Sequence, residues 1–185
     1  MNELNGGCHC GNVDFTLITD NDPDGFVPRR CSCSMCMKHG ASYISDPEAQ
    51  LTLRYRDGSK LSLYRFGHGT SQWVICSLCG VLVAVLCEIE GQLRAVVRVQ
   101  SIKEHPFPRP EVATNFESES VEARLQRRAR TWIGTVTVSP PLAQRNLMRW
   151  TYGVLVMNNK ERKSVGAGIV EETNRRATGG IRQLA

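Results

Sequence analysis

The residues of this 185-residue chain whose type and spacing indicate chemistry are its eight cysteines. Seven of them fall in three clusters, Cys8-His9-Cys10, Cys31-Ser32-Cys33-Ser34-Met35-Cys36 and Cys76-Ser77-Leu78-Cys79-Gly80. In a C-x-x-C turn, two sulfurs can reach one metal ion at about 2.3 Å. In a C-x-C cluster, irregular backbone must turn both side chains to the same side, which Gly6-Gly7 and Gly11 permit. The spacing therefore predicts metal binding.

Seven cysteine ligands divide into a set of four and a set of three, and the two sets predict different sites. Four thiolates close a tetrahedral structural zinc, whereas three leave one coordination position for water or substrate. Three thiolates also give the zinc site a net negative charge, so it favours holding a substrate thiolate over generating hydroxide. The spacing alone does not determine which cysteines share a metal.

The elements that must position these cysteines are predicted to be strands. Eight short segments rich in β-branched or aromatic residues lie between turn formers, and they are Val13–Leu17, Ala41–Ile44, Leu51–Arg56, Leu61–Phe66, Gln72–Cys76, Val81–Leu86, Leu93–Val99 and Trp132–Val138. Leu51, Leu53 and Tyr55 alternate with polar residues, which is typical of an antiparallel sheet with one face in water. Asp57-Gly58 predicts a hairpin turn between the third and fourth segments. The predicted fold class is mainly β, with antiparallel sheets.

One amphipathic helix is predicted near the C-terminal end of the domain, from about Glu119 to Arg130. Ser118 or Ser120 supplies its cap, and acidic residues in the first turn and arginines in the last suit the helix dipole. The solvent-exposed face of this amphipathic helix is interpreted as carrying its four arginines, Arg124, Arg127, Arg128 and Arg130. Because Pro140-Pro141 ends the patterned region, residues 4–138 are predicted to form one domain and residues 139–185 a basic, partly disordered extension.

The positive net charge of +5 lies in the extension. Residues 1–139 hold 15 Lys and Arg against 15 Asp and Glu, and residues 140–185 hold 8 against 3. A neutral domain gives no electrostatic reason to expect nucleic acid. Residues 1–7 lack the features of a secretory signal, and the longest apolar run is far below the ~20 residues that span a bilayer. We therefore expect a soluble cytoplasmic protein without a membrane or nucleic-acid partner, whose reduced thiols bind metal instead of forming disulfides.

The three clusters in this order resemble the glutathione-dependent formaldehyde-activating enzyme (GFA) family, which also includes centromere protein V. The resemblance spans about residues 4–138 and rests on three motifs, Gly7-Cys8-His9-Cys10-Gly11 with Val13, Cys31 to Gly40, and Cys76-Ser77-x-Cys79-Gly80. It implies that Cys8, Cys10, Cys76 and Cys79 bind a structural zinc. It also implies that Cys31, Cys33 and Cys36 bind a second, catalytic zinc, in a fold of twisted antiparallel sheets stapled by zinc.

The resemblance implies a carbon–sulfur lyase that adds the thiol of glutathione to formaldehyde and gives S-hydroxymethylglutathione. We hypothesise that the glutathione sulfur takes the vacant zinc position and that its lowered pKa makes it the nucleophile. The alternative is a non-catalytic zinc-binding module for protein or chromatin interaction. The neutral domain counts against chromatin, and the three-ligand zinc counts for chemistry. A thiol–disulfide oxidoreductase using Cys76 and Cys79 ranks last, because a thioredoxin-like βαβ pattern is missing.

The remaining polar groups near the clusters are given no catalytic role. Glutathione has two carboxylates, which need cations, but Arg29, Arg30 and Lys38 are candidates only because they flank the second cluster. His68 lies in a glycine-flanked loop that can line a pocket. Cys87 lies in phase with the valines of its strand and is predicted to be a core thiol. The sequence does not determine the oligomeric state.

Overall fold

The computed structural model describes residues 1–103 and 107–142, and this part of the chain is mainly β. Its strands are β1 (Asn2–Gly7), β2 (Val13–Thr19), β3 (Arg29–Cys31), β4 (Ser42–Ile44), β5 (Gln50–Tyr55), β6 (Leu61–Tyr64), β7 (Gln72–Cys76), β8 (Leu82–Ile89), β9 (Gln92–Arg98), β10 (Val112–Thr114) and β11 (Thr135–Ser139). Its α-helices are α1 (Ser34–His39) and α2 (Val121–Thr131). No helix in these ranges is long and apolar enough to cross a membrane. The extension beyond residue 142 lies outside the described residues.

The strands form two sheets, and both are mixed. One sheet has the order β1-β2-β5-β11, and the other has the order β10-β3-β4-β9-β8-β7-β6. Most neighbouring strands are antiparallel, as predicted, but β11 runs parallel to β5 and β10 runs parallel to β3. Both parallel strands arrive after long connections instead of hairpins, so no tight turn imposes the antiparallel direction on them.

All eight predicted strand segments overlap a strand of the structure. The alternation in β5 is correct, because Leu51 and Leu53 are buried with 1% and 0% exposure. Three strands were not predicted, β1, β3 and β10. β1 is mostly polar and glycine-rich, and the other two have only three residues each. These segments form strands because they pair with other parts of the chain, and a local sequence pattern does not reveal such pairing.

The predicted hairpin at Asp57-Gly58 is wrong. β5 belongs to the four-stranded sheet, whereas β6 pairs with β7 at the end of the seven-stranded sheet. Asp57 caps a single 3₁₀ turn over Gly58–Lys60, and the Asn12 side chain accepts the Asp57 N–H at 2.9 Å. The turn therefore carries the chain from one sheet to the other. The prediction failed because a turn signature indicates that the chain reverses but does not indicate which strand it pairs with next.

The two helices differ in how far the sequence predicted them. Helix α2 covers most of the predicted range, and Ser120 Oγ accepts the Ala123 N–H at 3.2 Å as its cap. Helix α1 was not predicted, since six residues carry too short a period to recognise. It ends at Gly40, whose φ of 54° lies in the left-handed region that glycine adopts readily. This short helix carries Cys36, so it positions part of the second cysteine cluster.

Candidate functional site

Four cysteines from two turns meet where the two sheets are joined. Cys8 and Cys10 lie in the turn between β1 and β2, and Cys76 and Cys79 lie at the end of β7 and in the turn that follows. Their four Sγ atoms all lie within 4.8 Å of one another. Gly80, with a φ of 74°, closes the second turn by donating its N–H to the Cys76 carbonyl at 2.8 Å. The structure thus brings together the four residues that the resemblance groups as one set.

The spacing of these sulfurs fits a tetrahedral zinc ion. Four ligands at about 2.3 Å from zinc are separated from each other by about 3.8 Å. The Sγ–Sγ distance is 3.7 Å between Cys8 and Cys10 and 3.5 Å between Cys10 and Cys76. The Val13 N–H donates to Cys8 Sγ at 3.2 Å, as a backbone amide does toward a thiolate ligand. Four sulfurs at these distances would close the coordination shell of a metal ion.

The remaining clustered cysteines form a second group of three. Cys31 ends β3, Cys33 is the N-cap of α1, and Cys36 lies within that helix. Their Sγ atoms also lie within 4.8 Å of one another. The Tyr43 hydroxyl, from β4, lies 3.2 Å from Cys36 Sγ. Burial raises the pKa of Tyr43, so the phenol keeps its proton and can donate a hydrogen bond to a Cys36 thiolate.

The three sulfurs share their protons unequally. Hydrogen bonds from the Cys31 and Cys36 thiols lower the pKa of Cys33 to about 2. The same contacts raise the pKa of Cys31 and that of Cys36, because those two thiols hold the shared protons. A group of this kind suits a metal cation, since bound metal takes the place of thiol protons and makes every sulfur a thiolate ligand.

The three-cysteine group opens onto a cavity of about 320 Å³. The cavity is lined by Cys31, Cys33 and Cys36, whereas it touches none of the four cysteines of the other group. Its apolar side is mainly aromatic and is formed by Tyr43, Phe66, Trp73, Phe116 and Trp132, together with Val85 and Val96. A concave, partly aromatic space of this size is typical of small-molecule sites.

Four arginines line the cavity, and we call them the arginine wall: Arg29, Arg124, Arg127 and Arg128. The last three come from α2, so the interpretation of this helix's arginines as a solvated face is wrong for them. Arg128 is only 6% exposed, and burial lowers its pKa. Arg130, by contrast, is exposed and lies outside the cavity. The amphipathic pattern located the polar side of the helix correctly, but the tertiary fold covers that side.

Of the three cations that flank the second cluster in the sequence, Arg29 is the one that lines the cavity. Burial and then the positive charge of Arg127 lower the pKa of Arg29, which shows how close the two cations are. Arg30 points elsewhere and pairs with Glu111 at 3.0 Å, and Lys38 does not line the cavity. His68 does line it, as its glycine-flanked loop suggested. Only the tertiary structure distinguishes Arg29 from Arg30 and Lys38, because all three lie within two residues of the second cluster in the sequence.

Cys87 belongs to neither cysteine group and is buried at 2% exposure, which confirms it as a core thiol. Arg128 Nη1 donates to Cys87 Sγ at 3.6 Å and to Thr70 Oγ1 at 2.9 Å. These contacts fix the arginine at the back of the cavity. All eight cysteines are free, without a disulfide among them.

A second cavity, of about 370 Å³, lies on the four-stranded sheet and is lined by Asn5, Gly6, Gly11, Asp14, Phe15, Arg54, Arg56 and Lys103. Its Arg54 is neutralised by Asp14, whose Oδ1 accepts from Nε at 2.6 Å. No cysteine lines this space. Within residues 1–103 and 107–142, the three-cysteine site thus combines a group that could hold a metal ion with a cavity.

Comparison with known proteins bears on the same cysteine clusters. A solved structure of a protein from Rhodobacter sphaeroides aligns with a TM-score of 0.43 and 24% sequence identity, covering 58% of this chain and 99% of that one. The family model described as glutathione-dependent formaldehyde-activating enzyme matches residues 3–118, which is more than half of the chain and includes all seven clustered cysteines. This chain therefore belongs to the glutathione-dependent formaldehyde-activating enzyme family.

Proposed function

We propose that this chain is a zinc-dependent carbon–sulfur lyase-like enzyme that adds the thiol of glutathione to formaldehyde and gives S-hydroxymethylglutathione. The family name supplies the two substrates. The observation that carries the proposal is that the three-cysteine group lines a cavity of small-molecule size, whereas the four-cysteine group does not. One site thus has access to a ligand, and the other has the closed arrangement of a structural metal site.

We assign a structural zinc to Cys8, Cys10, Cys76 and Cys79 and a catalytic zinc to Cys31, Cys33 and Cys36. The distances between the sulfurs support metal binding at both groups. When bound, the second zinc supplies a positive charge next to the three sulfurs, which lowers the pKa of a thiol brought beside it. The chain's own residues supply binding, orientation and exclusion of water.

In the proposed reaction, the sulfur lone pair of glutathione forms a bond to the carbon of formaldehyde. The carbonyl π electrons move to the oxygen, which takes up the proton that the thiol has lost, so the product is a neutral hydroxymethyl thioether. His68, Ser32 and Ser34 line the cavity and are among the side chains able to exchange a proton with that oxygen. The aromatic side of the cavity excludes bulk water, which would otherwise hydrate the aldehyde.

The test is zinc content and thiol–aldehyde activity of the wild type and of Cys33→Ala. We expect two zinc ions in the wild type and one in Cys33→Ala, with activity lower by at least about a hundredfold, since even the partners of metal ligands contribute about 10–100-fold. Cys87→Ala removes a buried thiol outside both groups and should keep two zinc ions. Activity that survives complete removal of zinc would refute the mechanism.

The competing function is a non-catalytic zinc module for protein or chromatin interaction. That function does not require a cavity beside an open metal site, and we therefore rank it second. One zinc ion in both the wild type and Cys33→Ala, with no binding of glutathione, would favour it.

The localisation that we propose is the cytoplasm. Reduced cysteines in both groups suit this compartment.

A further inference from the structure

The arginine wall holds more positive charge than the acidic groups beside it neutralise. Glu119 accepts from Arg127 Nε at 2.7 Å and from Nη2 at 2.8 Å, so this arginine has a full carboxylate partner. Arg127 also lies over the Phe116 ring at 3.6 Å. Glu119 does not line the cavity itself, and the acidic residue that does is Glu117. Counting both, two carboxylates accompany four guanidinium groups, and the excess charge is positive.

The cavity also contains hydrogen-bond donors that lack an acceptor. Six buried side-chain atoms have no hydrogen-bond partner among the described residues. Two of them, Arg94 Nε and Arg98 Nε, belong to residues that do not line this cavity. The other four are Ser71 Oγ, Trp73 Nε1, Arg124 Nε and Arg128 Nε. All four side chains line the cavity, and those of Ser71, Trp73 and Arg128 are 3%, 9% and 6% exposed. Arg124 Nε lies 4.0 Å from Glu119 Oε2, beyond hydrogen-bond distance.

The chemistry of these four atoms indicates what they bind. An indole N–H and a guanidinium N–H can only donate, and a hydroxyl can donate as well. Buried donors without acceptors cost free energy, so a ligand that brings oxygen acceptors into this space gains the hydrogen bonds that the protein leaves open. An ionised carboxylate offers acceptors only, and its planar geometry matches guanidinium groups.

We propose that the arginine wall, with Ser71 and Trp73, is a carboxylate-binding subsite, and that the enzyme selects thiols that carry a carboxylate. The selection of thiols rests on the proposed function, whereas the carboxylate subsite does not. Three of its four arginines come from α2, which lies beyond residues 3–118, so the match to the family model does not assign this wall. The aromatic side of the cavity would cover the carbon skeleton between the two polar ends of the ligand.

A matched pair of small thiols tests the carboxylate requirement by titration calorimetry on the zinc-loaded full-length chain. N-acetylcysteine and N-acetylcysteine amide differ only in the carboxylate. We expect the acid to bind at least about tenfold more tightly, as one charge-assisted hydrogen bond predicts. Equal affinity of the two compounds would overturn the proposal.

Variants of the wall test which residues carry the preference. Arg124→Gln removes a charge, and Trp73→Phe removes an unpaired N–H while keeping an aromatic ring, so the second variant loses no internal hydrogen bond. Each should reduce the preference for the acid several-fold and leave the affinity for the amide unchanged. Arg130→Gln, on the exposed face of the same helix, should keep the wild-type preference. A full preference in both wall variants would overturn the assignment.

A second pair of compounds separates this proposal from the thiol–aldehyde reaction. N-acetylalanine and its amide have no thiol. The subsite should still bind the acid more tightly than the amide, and this preference should be larger in the wild type than in Arg124→Gln. That result supports the subsite even if no thiol–aldehyde activity is found. If the protein turns over both thiols equally and binds neither acid preferentially, the reaction stands and the subsite is wrong. Tighter binding of inorganic phosphate than of N-acetylalanine would likewise refute a carboxylate subsite.

Discussion

At the scale of single residues, the three-cysteine site depends on partners that are not ligands themselves. Cys36 is buried, and the Tyr43 hydroxyl of strand β4 lies 3.2 Å from its sulfur, within hydrogen-bond distance. A hydrogen bond to a metal ligand fixes the orientation of that ligand and stabilises its negative charge. Tyr43 also lines the cavity, so it lies between the proposed metal site and the space for substrate. We regard it as a positioning residue.

Tyr43→Phe is expected to weaken zinc binding at the three-cysteine site by about tenfold, since partners of metal ligands contribute about 10–100-fold. The ring is kept, so the core packing is preserved and the lost interaction is the hydrogen bond to Cys36. Competition with a chromogenic chelator measures the affinity of the second zinc directly. Tyr64→Phe removes a hydroxyl from a 46% exposed ring outside the cavity and should leave that affinity unchanged. Equal zinc affinity in both variants would show that the Tyr43 contact is structural.

At the scale of elements, helix α2 is held against the cavity by its own charges. Glu119, just before the helix, binds Arg127 through both carboxylate oxygens. Arg128 is anchored to Thr70 and stacks over Trp132 at 4.8 Å. The contact with Thr70 fixes the helix relative to the loop before β7, and the ion pair with Glu119 orients Arg127 at the cavity. The arginine wall therefore depends on the position of the whole helix.

The ion pair between Glu119 and Arg127 predicts a pH-dependent stability. The hydrogen bond from Arg127 lowers the pKa of Glu119 below its unfolded value of about 4.3. A lowered folded-state pKa stabilises the fold above the unfolded pKa, and this contribution is lost as the pH falls through the folded pKa. Glu119→Gln should thus be less stable than wild type by about 1 kcal/mol at pH 7, and the difference should shrink as the pH falls below about 4.3 and through the lower folded-state pKa.

Urea denaturation of both proteins between pH 7 and pH 3.5 measures this difference. Glu122→Gln, which alters an exposed acid in the first turn of the same helix, serves as the control and should show a much smaller difference at every pH. A stability difference between wild type and Glu119→Gln that persists unchanged at pH 3.5 would contradict the role of the ion pair.

At the scale of the whole molecule, the four-cysteine group links the two sheets. Cys8 and Cys10 follow β1 of the four-stranded sheet, and Cys76 and Cys79 follow from β7 of the seven-stranded sheet. The two sheets also contact each other directly, for example through the isolated bridges of Gly6 with Ile102 and of Ala95 with Ile133. A metal ion held by both turns would act as a crosslink between sheets, and its binding free energy would contribute to folding.

Cys10→Ser is expected to lower the stability of the whole domain by at least about 3 kcal/mol, or about 10 °C in Tm, because it breaks this crosslink. Cys10 is exposed, so little packing is lost with it. Cys33→Ser should change Tm far less, because its site joins β3 to the adjacent helix α1 and does not link the two sheets. Thermal unfolding followed by circular dichroism, with zinc counted in each protein, makes the comparison. A larger effect of Cys33→Ser would reverse the proposed roles of the two sites.

The domain boundary proposed from the sequence is tested by truncation. β11 ends at Ser139, the Tyr55 hydroxyl donates to the Pro141 carbonyl at 3.2 Å, and Leu142 is buried. A chain ended after Leu142 should therefore keep two zinc ions and a Tm within about 4 °C of the full chain, the shift that ~1 kcal/mol produces. A chain ended after Gly134 lacks β11 and should fail to fold. Loss of folding in both would show that the domain extends further.

The sequence by itself determined the chemistry-bearing residues and most of the strands, because both are local signals. Cysteine spacing identified the seven clustered thiols and their division into four and three, and alternation in β5 identified its buried face. Resemblance to a family, not spacing, grouped Cys8 with Cys76. Only the tertiary structure decided that β5 and β6 belong to different sheets and that α2 turns its arginines toward the cysteine cavity. Such choices depend on contacts between residues far apart in the chain, and periodicity within one segment carries no information about them.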